Sequence, residues 1–274
     1  MSARIQLDDV GQRFLVKGDD DKRIREFVAL EGLHLDVPAG EILTVVGPSG
    51  CGKSTIIDLV AGLAAPTTGS VLVDGHPVRG PGLDRGVVFQ QYTLLPWRTA
   101  QGNVELALEA RGGLSRSERR SKARAYLDLV GLGDFAGRYP HELSGGMKQR
   151  VAIARSLSYE PSVLLMDEPF GALDAQTRES LQEELIGIWQ RTGTTIVFIT
   201  HDIEEAVFLG RRVAVMSARP GRISEVIEVD LDRNGAAYND IRATPEFAAY
   251  RHRIWSLLRT EQVSRVREEQ ADAA

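Results

Sequence analysis

The nine residues Gly47, Pro48, Ser49, Gly50, Cys51, Gly52, Lys53, Ser54 and Thr55 are the stretch of this chain best equipped for chemistry. Gly47 and Gly52 bracket the loop, and glycines let the backbone bend until successive N–H groups converge on phosphate oxygens. The stretch follows an apolar run and opens a helical one, so a helix N-terminus adds partial positive charge at the same spot. Lys53 has the type and position to reach β- and γ-phosphates, and Ser54 to ligate a magnesium ion. Cys51 within the loop reads as a small tolerated side chain rather than a redox group. A second chemical segment, VLLMDEPF at 163–170, carries Asp167 and Glu168 out of a buried strand. Ligands of open α/β sheets gather at such strand ends. Asp167 suits a magnesium-directed carboxylate acting through water, and Glu168 a general base toward an attacking water. The plain alternative for this pair is a helix cap beside a surface acid.

These residues need a scaffold, and the surrounding pattern supplies one. Residues 42–46 are a continuous apolar run, suited to a strand buried on both faces, and 54–63 read as a helix. Residues 71–73 and 87–89 read as short strands bounded by Gly and Pro. The first forty residues read as short strands on either side of a charged turn, GDDDKR at 18–23. From about 92 to 158 the texture is helical. There Ser115 with Glu118 forms a capping box ahead of an Arg-rich helix, and a second helix runs from near Gly146 to about Leu157. Strands return at 163–166, 196–199 and 213–216. Strand–helix alternation of this kind implies an α/β fold with a parallel sheet and crossover helices. After Gly221 the pattern weakens. Phe247, Tyr250, Ile254, Leu257 and Leu258 recur at helical spacing, so a terminal amphipathic helix is expected, able to pack on its own core or on a second copy. The tail from Glu261 is polar.

Composition narrows the classes. At 43% hydrophobic and 26% charged, the chain has the balance of a soluble globular protein. Its net charge of −5 argues against nucleic acid as a partner. The one basic run, Arg116, Arg119, Arg120, Lys122 and Arg124, reads as a solvated helix face. A single cysteine excludes an internal disulfide and fits a reducing compartment. The first residues, MSARIQLDDV, hold no apolar signal segment, and no stretch approaches the roughly 18 apolar residues that span a bilayer. Any membrane role is therefore expected to come through a partner.

A third segment, LSGGMKQR at 143–150, stands shortly before VLLMDEPFGALD. With the phosphate loop, this arrangement resembles the ATP-binding-cassette transporter ATPases over about residues 3 to 225. VVFQQ at 87–91 is similar to the family's Q-loop, with Gln90 as the working glutamine and a magnesium ligand. FGALD at 170–174 is similar to its D-loop, ending in Asp174, and ITHD at 199–202 to its switch segment, with His201 sensing the γ-phosphate. Met147 stands where the commonest signature has Gln. The resemblance implies a P-loop core: a mostly parallel sheet with flanking helices, an N-terminal antiparallel β part, and an inserted α-helical subdomain at about 92–158. It implies a nucleotide-binding domain over 1–230 and a short helical extension over 231–274. ATP and Mg²⁺ are the implied cofactors. ATP would lie between Lys53 of one copy and Ser144, Gly145 and Gly146 of a second, head to tail. Phe14, or in its place Phe27, would stack on adenine.

GPGLDRGVVFQQYTLLPWRTAQGNV, ITHDIEEAVFL and VMSARPGRI narrow the resemblance to importer ATPases for nitrate, sulfonates, taurine and related small anions. That subgroup implies a homodimer, transmembrane permease subunits, and a periplasmic or extracellular solute-binding protein reached through them. It places the chain peripherally on the cytoplasmic face of the inner membrane. Trp97, beside Leu94, Leu95 and Pro96, is expected either to meet a helix of the permease or to pack the helical insertion. The alternatives are a cassette of another import or export system, or a soluble cassette protein. Soluble ribosome-acting cassettes usually come two to a chain, and chromosome-type ones carry long coiled coils, for which no sustained heptads appear here.

Overall fold

The computed structural model describes residues 2–17, 24–232 and 241–272, with side chains as far as residue 261. The first half of the chain forms β1 (Ile5–Lys17), β2 (Ile24–Val37), β3 (Ile42–Val46), α1 (Lys53–Ala61), β4 (Thr68–Val73), β5 (His76–Pro77), β6 (Arg85–Val88), α2 (Ala100–Arg111) and α3 (Arg116–Leu129). The second half forms α4 (Gly145–Leu157), β7 (Val163–Asp167), α5 (Ala175–Thr192), β8 (Thr195–Thr200), α6 (Ile203–Leu209), β9 (Arg212–Met216), β10 (Ile223–Glu228) and α7 (Pro245–Asp272). Two compact units result, one of Met1–Ala3 and Gly82–Ile196, the other of Arg4–Pro81 and Val197–Ala274.

The second of these units carries the phosphate loop. Its strands run in the orders β2-β1-β4-β5 and β10-β9-β3-β8. β3 lies parallel to β9, with Val46 opposite Val215, and β10 closes that edge antiparallel. Every residue of β3 is buried. The apolar run at 42–46 has this consequence, because a strand covered on both faces can place no polar side chain in water. Thr44 is tolerated there because its hydroxyl lies 3.1 Å from the carbonyl of Ala206 and 3.3 Å from that of Arg212.

Two local expectations need correction in this unit. β1 and β2 are long strands of 13 and 14 residues, not short ones. Register shifts between Leu7 and Val10 and again before Arg13 break the period-two alternation that would have signalled their length. The edge strand β10 is missing from the sequence pattern, because ISEVIE puts a charged residue on each face, buries only Ile227 and reads as polar. The charged turn at 18–23 and the polar tail beyond 261 lie outside the described residues and side chains. The terminal helix packs on its own chain, against α6 and β9, with Phe247 and Ile254 buried. Arg251 pairs with Glu204 of α6 at 2.6 Å, and Arg242 sits 4.2 Å over the Phe208 ring.

In the other unit β6 and β7 run parallel, with Val88 opposite Met166. Helices α2, α3 and α4 fill the chain between them, within the 92–158 stretch of helical texture. Each starts at a cap legible in the sequence. Thr99 accepts from Gly102 N at 3.1 Å, Ser115 and Glu118 form the capping box, and Ser144 accepts from Met147 N at 3.3 Å. Val151, Ala152, Ile153 and Ala154 are all buried, so α4 is covered on every side there, and Ser156 bonds the Val87 carbonyl at 2.8 Å, tying α4 to β6. The basic run lies on α3, where Lys122 meets Glu160 at 2.6 Å and Arg124 meets Asp128 at 3.4 Å, a solvated face as expected.

Candidate functional site

The loop 47–52 leaves the C-terminal end of β3, and Gly52, at φ +99°, is the N-cap of α1. Lys53 is buried, and its ammonium donates to the carbonyls of Gly47 at 2.9 Å and Pro48 at 3.0 Å. Cys51 N donates to the same Pro48 carbonyl at 3.3 Å. Two positive-ended groups thus converge on one acceptor inside the loop, an arrangement suited to phosphate oxygen. Ser49 and Ser54 are exposed at the mouth, and Pro48 and Thr55 half-buried. The Cys51 thiol is buried and free; burial pushes its pKa up while the Lys53 charge pulls the other way. A thiol so held is a poor nucleophile, in keeping with a packing role.

Phe14 is exposed on β1, directly across from the half-buried Phe27 on β2. His201 follows β8 and is exposed. The capping duty at this turn belongs to Asp202, whose carboxylate accepts from Glu204 N at 2.9 Å and Glu205 N at 3.2 Å. His201, Asp202 and Glu204 share a groove of about 820 Å³ with Arg251, His252 and Trp255 of α7.

The other unit groups the remaining residues. Asp167 ends β7, and Gln90 lies two residues past the end of the neighbouring parallel strand β6, so both stand at the C-terminal end of that pair. Glu168 is half-buried and sits at φ +43°, in the left-handed region that non-glycine residues rarely enter. Asp174 caps α5, accepting from Thr177 N at 3.0 Å, and that bond holds its carboxyl below the usual range. Gly145 and Gly146 form the first turn of α4 behind the exposed Ser144.

Two residues here escaped the sequence reading. Arg155 donates to the Thr93 carbonyl and hydroxyl, both at 2.7 Å, and so pins the segment just after Gln90. Asn103 is fully buried. Its amide donates to the carbonyls of Leu95, Arg98 and Thr99, and its oxygen accepts from Leu95 N at 2.7 Å. This cage holds out Trp97, which is 70% exposed and does not pack the helical insertion. Neither signal is visible in sequence, since an Arg or Asn on a helix ordinarily reads as solvent-facing.

A model of the ABC transporter family matches residues 30–171. The nitrate import ATP-binding protein of Synechocystis is 53% identical, over 85% of this chain and 88% of that protein. The taurine import ATP-binding protein of Rhizobium johnstonii is 49% identical, over 84% and 88%. Among solved structures, a dimeric ATP-binding cassette in a post-hydrolysis state with ADP and Pi is 34% identical, with a TM-score of 0.71 over 82% of this chain and 99% of that one. The chain belongs to the ABC transporter family and is an ATPase of that family, with the P-loop α/β fold. Among the described residues no helix is long and apolar enough to cross a membrane.

Proposed function

We propose that this chain is the motor subunit of an importer for a small anion of the nitrate or taurine and alkanesulfonate type. The observation that carries the motor reading is the phosphate loop, where buried Lys53 and the Cys51 N–H converge on one point at the start of α1. The import direction and the anion class rest on the two named relatives.

In this reading Lys53 neutralises the β- and γ-phosphates, and Phe14 is the ring that stacks on adenine. Ser54, Gln90 and Asp167 would hold magnesium; hydroxyl, amide and carboxylate oxygens are the hard donors that ion prefers. The bound ion would neutralise charge on the β- and γ-oxygens. Glu168 takes a proton as water attacks the γ-phosphorus, the bridging P–O bond breaks, and ADP leaves. His201 steadies the γ-phosphate. Ser144, Gly145 and Gly146 of a second copy face that phosphate with α4's N-terminal dipole, and Asp174 lines the same seam. Loss of the bridging phosphate frees the copies and drives transmembrane permease subunits, fed by a solute-binding protein outside the membrane. The chain then works peripherally at the inner face of the membrane.

Growth of a deletion strain on nitrate, taurine or an alkanesulfonate as sole nitrogen or sulfur source tests the substrate class. Loss of growth on one of them, restored by the wild-type gene, is expected. Unimpaired growth on all three rejects the anion-import reading. Ser144→Glu should abolish ATP hydrolysis by the assembled complex, since it sets a carboxylate against the γ-phosphate; full activity in that variant would remove the head-to-tail pocket.

A further inference from the structure

The motif VMSARPGRI marked a subgroup in the sequence, but its chemistry has no part in the reaction above. In the structure the turn 217–222 is fastened to β2. Gly221 N donates to the Ala29 carbonyl at 2.9 Å, Glu31 N donates to the Gly221 carbonyl at 3.1 Å, and Arg222 pairs with Glu31. The turn's other side lies on the phosphate loop. A Cβ at Gly221 would fall 1.9 Å from the Cys51 carbonyl oxygen. Arg219 Nε donates to the Gly50 carbonyl at 2.8 Å, while its guanidinium carbon lies 5.0 Å from the Phe27 ring centroid. Gly50 itself sits at φ +73°, and a Cβ there would fall 2.4 Å from Arg219 Nη2.

We propose that Arg219 is a nucleotide-positioning residue that acts through Gly50. It rests on the reading of 47–55 as the triphosphate's seat. The peptide bond is planar and trans, so the Gly50 C=O and the Cys51 N–H point in opposite directions. Arg219 holds the carbonyl outward. The Cys51 N–H is thereby turned inward, where it shares the Pro48 carbonyl with the Lys53 ammonium. The Phe27 face fixes the guanidinium plane, a geometry an ammonium cannot copy. A loop ordered before the ligand arrives spends less entropy on binding. The Arg219 charge also reaches into the loop: with that of Lys53 it opposes the burial that raises the Cys51 thiol.

The test is equilibrium binding of a fluorescent ATP and a fluorescent ADP to the purified full chain, with melting temperature recorded for every variant. Arg219→Ala is expected to weaken both nucleotides about tenfold, the scale of one charge-assisted hydrogen bond. Arg219→Lys should recover part of that loss. Arg219→Met, of similar length without a donor, should recover none. Lys53→Ala serves as the reference. If Lys53→Ala loses affinity and Arg219→Ala stays within twofold of wild type, this inference is overturned while the phosphate-loop reading stands. If Lys53→Ala also binds like wild type, both fall. Should Arg219→Ala fail to fold, tighter binding by the Lys than the Met variant at equal melting temperature supports the role, and equal binding overturns it. A loss that simply tracks melting temperature across the variants overturns it too.

Discussion

Glu168 pairs chemistry with backbone cost. A non-glycine residue at φ +43° costs roughly 1–3 kcal/mol and persists only where its surroundings hold it. That cost aims the Glu168 carboxylate differently from the adjoining Asp167, so two neighbouring acids can serve different roles. Glu168→Gln should keep ATP affinity while turnover falls at least about 100-fold, the contribution of a general base; nucleotide binding and phosphate release, measured on one preparation, check both halves. Asn103 works differently, because its task is purely to satisfy backbone. Asn103→Leu fills similar space but takes the side-chain partner from the Leu95 N–H and the Arg98 carbonyl, while the Leu95 and Thr99 carbonyls keep the backbone N–H groups of Arg98 and Asn103. A loss of about 2–4 kcal/mol is expected, seen as a lower urea midpoint with an unchanged slope.

At the scale of elements, α2 and α3 are tied through one carboxylate. Glu160 receives Lys122 at 2.6 Å, Arg111 at 3.3 Å and the Tyr126 hydroxyl at 3.4 Å. The Lys122 hydrogen bond, first among these, holds the Glu160 carboxyl below its ordinary value of 4.5. A carboxyl whose folded pKa is depressed contributes stability above its unfolded pKa, and that contribution is lost as pH falls through the lower folded value. The melting temperature gap between wild type and Glu160→Gln should therefore be full at neutral pH and close as pH drops below 4.5. The cluster is solvent-exposed, so the gap should also shrink in high salt. Burial, followed by the Glu160 charge, pushes Tyr126 up to about 12, so the phenol stays protonated throughout this range.

For the whole molecule, the exposed features decide what it meets. Trp97 is 70% exposed on a turn whose backbone Asn103 bonds on both sides of it, and an exposed aromatic anchor of this kind concentrates binding energy. Trp97→Ala should leave ATP affinity unchanged and reduce co-purification with the permease subunits; undiminished assembly would show that this face is not the docking point. α7 turns its buried face to α6 of its own chain, and Arg251 reaches Glu204 close behind His201. Helix α7 is thus part of the structure that supports the turn at His201.

The α/β class and the phosphate loop's place between a strand and a helix were legible from sequence because each rests on local physics. A glycine-rich turn follows a strand and opens a helix, caps favour Ser, Thr or Asp, and a strand covered on both faces must be mostly apolar, as β3, β7 and β8 are. The long bulged strands, the edge strand β10, the cage around Asn103 and the seating of Arg219 on Gly50 were decided only by the tertiary structure. The last of these depends on a partner far away in the chain, 169 residues between Arg219 and Gly50. A hydrogen bond of that span leaves no periodic trace in either segment, because its energy depends on where folding brings the two together and not on what lies beside each in sequence.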